Sequence, residues 1–79
     1  MYYVYILNSI PFSNRFYTGF TENLEQRLIA HNSGEVSYTA KFLPWKIKTF
    51  IAFTSREQAL RFEQYLKTKS GRAFATKRL

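Results

Sequence analysis

A chain of 79 residues can form one small domain and no more, so residues 1–79 are read as a single unit. Twelve Lys and Arg against five Glu and no Asp give a formal charge of +7, which favours a polyanion as partner, nucleic acid above all. The lack of cysteine excludes disulfides, thiolate zinc sites and cysteine nucleophiles, while 46% apolar and 19% aromatic residues can supply a core built largely from rings.

Tyr2 to Leu7 (YYVYIL) has no polar member apart from its phenols, the pattern of a strand covered on both faces. It is too short for a membrane span and lacks the basic flank of a secretory signal, so a cytoplasmic protein is expected. Tyr3, Tyr5 and Leu7 share one face; Tyr2, Val4 and Ile6 share the other. Asn8 to Arg15 is turn-rich, and Phe16 to Phe20 returns as the second strand of an antiparallel hairpin. Tyr17 and Gly19 face one way, and Phe16, Thr18 and Phe20 the other. Tyr5 and Tyr17 are thereby candidates to lie across from each other, although alternation alone does not set the register.

Asn23 with Gln26 three residues on resembles a capping box and opens a helix to about Asn32, with Leu24 and Leu28 buried and Gly34 as its stop. Arg27 and His31 are four apart and project from one face of it. Ser33 to Leu43 reads as irregular. Lys46 to Phe53 alternates as a third strand, with Ile47, Thr49, Ile51 and Phe53 expected on one face and Lys46 and Lys48 on the other face or edge. Ser55 with Gln58 caps a second helix expected from Arg56 to about Lys69. Glu63 falls within its apolar stripe, alone among the carboxylates. Ser70-Gly71 is read as a break before a short basic helix from Arg72 to Leu79.

Elimination narrows the chemistry. A two-metal site needs several converging acids, and a zinc site needs three or four ligands; one inward Glu and one His supply neither. No Ser/His/acid triad is supported, and no glycine-rich phosphate loop occurs, so no nucleotide cofactor is expected. What survives is one carboxylate, one arginine, one histidine and two tyrosines on a basic body. These suffice for phosphodiester hydrolysis with a single divalent cation: an acid to hold the metal, a guanidinium for the phosphate, and a phenol or imidazole for the attacking water. Lys41, Lys46, Lys48 and Lys67 are the candidate DNA-contacting lysines.

Tyr3-Val4-Tyr5, then Tyr17-Thr18-Gly19, then Arg27 and His31 in one helix and Glu63 in a later one, together resemble the GIY-YIG nuclease family, and above all its small stand-alone bacterial members. The likeness runs from Tyr3 to about Lys67. Tyr3 stands where the family has Gly, and Thr18 where it has Ile. The resemblance implies an α+β fold, a three-stranded antiparallel sheet flanked by helices in the order β-β-α-β-α-(α). It implies a DNA endonuclease using Mg²⁺ or Mn²⁺, of the structure-specific kind met in repair or recombination. Tyr5 and Tyr17 would lie near the attacking water, Arg27 would bind the scissile phosphate, and Glu63 would be the one protein ligand to the metal. His31 would assist proton transfer or phosphate contact, and Gly19 is the structural glycine of the motif. Many members also carry an Asn after the metal-binding Glu; none follows Glu63 here.

Singly, these residues have plainer readings: sheet aromatics, a solvated arginine, a capping histidine, a Glu63–Lys67 ion pair, a bulge at Gly19. Their conjunction in order carries the functional reading. Its rivals are a DNA-binding module of the same fold without useful turnover, and an interaction domain that touches no nucleic acid.

Overall fold

The computed structural model describes all of residues 1–79. Three strands, β1 (Tyr2–Ser9), β2 (Phe16–Thr21) and β3 (Trp45–Phe53), form one antiparallel sheet in the order β2-β1-β3. Helix α1 (Leu24–Asn32) follows β2, a 3₁₀ turn (Thr39–Phe42) precedes β3, and α2 (Arg56–Leu66) and α3 (Lys69–Arg78) end the chain. No helix is long and apolar enough to cross a membrane.

The unbroken apolar run of β1 makes it the central strand, because only that position is covered on both faces. Val4, Tyr5, Ile6 and Leu7 are each at most 5% exposed. On one face Val4 and Ile6 pack with Ala59 and Leu66 of α2, joined by Phe20, Phe53, Phe62 and Ala75. On the other Tyr5 and Leu7 pack with Trp45, under Tyr17, Leu24, Leu28 and Phe42. Each buried aliphatic side chain contributes roughly 1.5–3 kcal/mol, so both layers are needed to hold a domain of this size.

Local chemistry sets the helix ends. Asn23 accepts the Gln26 amide at 3.0 Å to cap α1, and Ser55 accepts the Gln58 amide at 3.2 Å to cap α2. Gly34, at φ +79°, lies beyond the end of α1 in a conformation that glycine adopts without strain.

Two expectations are corrected. The break after α2 falls at Lys67-Thr68 rather than at Ser70-Gly71, because Thr68 accepts the Gly71 amide at 3.0 Å and caps α3. Gly71 lies inside α3, where a Cβ would overlap the Tyr65 carbonyl; its smallness lets the two helices touch rather than ending one of them. The even alternation expected of β3 also fails. Ile6 pairs with Thr49 but Leu7 pairs with Ile47, so Lys48 is an extra residue in a bulge. Ile47 therefore packs on the Leu7–Trp45 side, and Phe53 on the Val4–Ile6 side.

Candidate active site and the groove beside it

The hairpin register pairs Tyr5 with Gly19 and Leu7 with Tyr17. Tyr5 and Tyr17 are thus diagonal neighbours on one face, with ring centroids 6.4 Å apart, and not directly opposed. The missing side chain of Gly19 is what gives the Tyr5 ring its room: a Cβ there would overlap the phenol oxygen and sit 2.5 Å from Cζ.

Helix α1 brings Arg27 and His31 over these rings. Arg27 Nε donates to the Tyr5 oxygen at 3.3 Å, and that oxygen lies 2.9 Å from His31 Nε2. His31 Nδ1 lies 2.8 Å from the Thr39 hydroxyl, which donates to the Val36 carbonyl at 3.2 Å. Guanidinium groups only donate, so the phenol oxygen accepts from Arg27 and its one proton is free to point at Nε2. Nε2 is then an acceptor, Nδ1 carries the ring proton, and Thr39 accepts it. The opposite order would leave the phenol proton unused and take away the Val36 bond. Side chains and backbone thus form one directional chain: Arg27 to Tyr5, Tyr5 to His31, His31 to Thr39, Thr39 to Val36.

Burial and charge tune this cluster. His31 is fully enclosed. Burial, and then the Arg27 charge, push the imidazole down to about 4, so it is neutral near pH 7. Burial holds the Tyr5 phenol above the ordinary tyrosine range against the opposing pull of Arg27, with smaller upward contributions from Tyr17 and Glu63. The Tyr5 contact in turn raises the Arg27 guanidinium against its own partial burial, and Tyr17 adds to this. Arg27 forms no salt bridge. Tyr17 is half-buried, its ring centroid 4.8 Å from that of His31.

Glu63 comes from α2, in the opposite helical layer, and is 9% exposed. Its Oε2 pairs with Lys67 Nζ at 3.1 Å, and its Oε1 accepts from Gln64 at 3.3 Å. No bond joins it to the tyrosine cluster; its charge reaches Tyr5 through space.

A groove of about 570 Å³ runs beside the cluster, between β2 and the α2–α3 corner. Tyr17 lines it, and so do Lys48 and Lys67 among the lysines picked out from the sequence. The bulge sends Lys48 across the sheet, with its ammonium 5.3 Å from the Phe16 ring centre. Lys41 and Lys46 are exposed but not part of the groove. Arg15, Tyr38 and Arg72, which no sequence pattern singles out, also line it. The two arginines had no signal beyond total charge, and Thr39 acquires its part only when the 3₁₀ turn packs on α1. Trp45 Nε1 fixes that turn by donating to the Thr39 carbonyl at 2.8 Å. Asn32 ties α1 to β3 by accepting the Trp45 amide at 2.7 Å and donating to the Trp45 carbonyl at 3.0 Å.

A three-stranded sheet between helical layers carries two tyrosines, an arginine and a histidine in contact, the set on which the resemblance to the GIY-YIG family rests, and comparison bears out the family. The profile described as "GIY-YIG catalytic domain" matches residues 1–78, and the chain belongs to the GIY-YIG family. Among its relatives, a UPF0213 protein of Streptococcus agalactiae serotype V is 36% identical over 75 residues, covering 94% of this chain and 83% of the relative. A UPF0213 protein of Bacillus licheniformis is 36% identical over 70 residues, covering 87% and 70%. The solution NMR structure of a UPF0213 protein from Bacillus halodurans matches with a TM-score of 0.58 at 31% identity, over 98% of this chain and 84% of that one. The expected α+β architecture is thereby found both in this protein and in a relative.

Domains of this family generally use a divalent metal ion, and the donors present can be tested against one. No group of three or more His, Asp or Glu side chains converges anywhere in the fold, so an all-protein cage is absent. A lone carboxylate does fit a hard cation that keeps most of its waters and takes further oxygens from a phosphate, the mode usual for Mg²⁺. Glu63 supplies such oxygens, with Oε2 in its ion pair with the half-exposed Lys67 and Oε1 accepting from Gln64.

Proposed function

We propose that this protein hydrolyses phosphodiester bonds in DNA as an endonuclease, with Glu63 as the single protein ligand to Mg²⁺ or Mn²⁺. The observation that carries this reading is the hydrogen-bonded cluster of Tyr5, His31 and Arg27 with Tyr17 against it, opening at Tyr17 onto a basic groove. When bound, the cation would polarise the phosphate and offset charge on the departing oxygen.

The protein's own side chains have distinct parts. Tyr5 is 2% exposed and its oxygen is engaged by both Arg27 and His31, so it fixes Arg27 and does not meet water. Arg27 spends Nε on Tyr5, which leaves its terminal nitrogens for two phosphate oxygens. Tyr17 is the phenol that faces the groove, and it orients the attacking water by hydrogen bonding. His31, neutral and enclosed, holds Tyr5 and makes no contact with the substrate. Hydrolysis adds water across one P–O bond: the water oxygen ends on phosphorus and one proton ends on the released sugar oxygen.

The test is incubation with Mg²⁺ or Mn²⁺ and a panel of linear, nicked, flapped and branched DNA, the last three being the structures met in repair and recombination. Cleavage that disappears in Arg27→Ala and Glu63→Ala, both still folded by circular dichroism, supports the proposal. An uncut panel overturns it.

The Glu63–Lys67 ion pair favours one alternative, a DNA-binding module whose carboxylate is neutralised. Equal, salt-sensitive DNA affinity in wild type and Glu63→Ala, with cleavage by neither, would select it.

A further inference from the structure

The groove beside the tyrosine cluster carries one sign of charge. Arg15, Lys48, Lys67 and Arg72 line it, and no carboxylate does. The only acid against these four is Glu63, which pairs with Lys67 from outside the lining. The cations come from the β1–β2 turn, the β3 bulge, the end of α2 and α3, so they reach the groove from four separate elements instead of forming one solvated helix face.

Aromatic rings accompany them. Tyr17 stacks on Tyr38 with centroids 6.2 Å apart and planes at 30°. Tyr38 continues to Phe42 at 5.6 Å, and Phe42 to Phe12 at 5.4 Å. The series leads from the candidate catalytic tyrosine out to solvent, where Tyr38 is 46% exposed. Arg15 lies over the Phe42 ring at 4.8 Å, and Lys48 over Phe16, itself 47% exposed, at 5.3 Å. Rings this exposed add little to a core, but they offer flat faces beside cations.

We infer that this groove binds single-stranded nucleic acid, an unpaired tract running to or from the scissile phosphate, with a base stacked on Tyr38 and its phosphates between Arg15, Lys48 and Arg72. A positive channel with stacking faces is what a strand with exposed bases requires. A duplex hides its base faces and would leave the ring series without a partner. The inference rests on the reading of the tyrosine cluster as the cleavage site, because Tyr17 belongs to both.

The test separates the two. A fluorescein-labelled oligothymidine about a dozen nucleotides long is titrated by anisotropy in EDTA, with the duplex of the same length as comparator. The single strand is expected to bind more tightly. Tyr38→Ala should weaken it about tenfold, the loss of one stacked base, and Tyr38→Trp should restore it. Arg72→Ala and Lys48→Ala should each reduce the salt slope by about 0.7, the value for one single-strand phosphate contact. Thermal melts confirm that each variant is folded. Tighter duplex binding, or single-strand affinity indifferent to Tyr38→Ala, overturns the groove assignment even if the protein cuts DNA. Single-strand binding with this mutational pattern upholds it even if no substrate is cut, in which case only the hydrolytic reading falls.

Discussion

The Tyr5 hydroxyl and His31 Nε2 meet at 2.9 Å inside the protein, although 26 positions separate them along the chain. Their contact, with Arg27 on the same oxygen, joins the central strand to α1 and sets the position of the guanidinium beside Tyr17. An enclosed imidazole in such a bond has structural as well as chemical consequences.

The first concerns acid. An unfolded histidine takes up a proton near 6.5, whereas His31 in the folded protein does so only at about 4. Between these values the unfolded state holds more protons, so stability falls as the pH drops through that window. The loss amounts to about 3 kcal/mol once the pH is below 4. Urea midpoints measured from neutral pH downward should therefore decline, and His31→Gln should decline less steeply. Parallel curves would show that His31 is not the neutral, enclosed group described above.

The two tyrosines should respond differently to loss of the hydroxyl. Tyr17→Phe is expected to lower cleavage by about 100-fold or more with little change in stability. Tyr5→Phe leaves His31 Nε2 buried without a partner and should cost about 1–3 kcal/mol as well as activity. Denaturant melts together with cleavage rates distinguish the pair, and equal destabilisation by both would contradict the roles given to them.

Gly19→Ala should drive the Tyr5 ring from its place, because the new methyl overlaps the phenol. Overpacking of this kind destabilises by about 1–3 kcal/mol. A melt unchanged from wild type would mean that the ring has another site open to it.

Thr39 is the last side chain of the hydrogen-bonded chain. Thr39→Val keeps the shape but takes away the acceptor for His31 Nδ1, at an expected cost of about 1–3 kcal/mol; Thr39→Ser should recover most of it. Recovery confined to a β-branched residue would assign Thr39 a packing role alone.

Lys67 pairs with Glu63, so under the proposed metal role it would compete with a cation for that carboxylate. Binding of Mn²⁺ to the nucleic-acid-free protein, read by electron paramagnetic resonance, should tighten in Lys67→Ala and vanish in Glu63→Gln. Unchanged binding in Glu63→Gln would remove that residue from the metal site.

The legible part of the architecture was the part written in local pattern. YYVYIL announced a strand covered on both sides, and the capping residues Asn23 and Ser55 announced the starts of α1 and α2. Period-two and period-four spacing also brought Tyr17 and Gly19 to one face, and Arg27 and His31 to another. Gly71 misled because a glycine needed for close helix contact looks, in sequence, like one that ends a helix. Lys48 misled because a bulge depends on pairing with another strand, and alternation within a single strand cannot register it.

By itself, then, the sequence determined the three strands, the starts of α1 and α2, the two covered faces of β1 and the inventory of groups able to act on a phosphate, since these follow from side-chain chemistry and short-range periodicity. The tertiary structure alone decided which phenol is locked away and which meets the groove, that the imidazole is neutral, and that Arg15, Lys48, Lys67 and Arg72 border one channel. Those properties arise from register, desolvation and the approach of residues distant in the chain, and no local pattern encodes them.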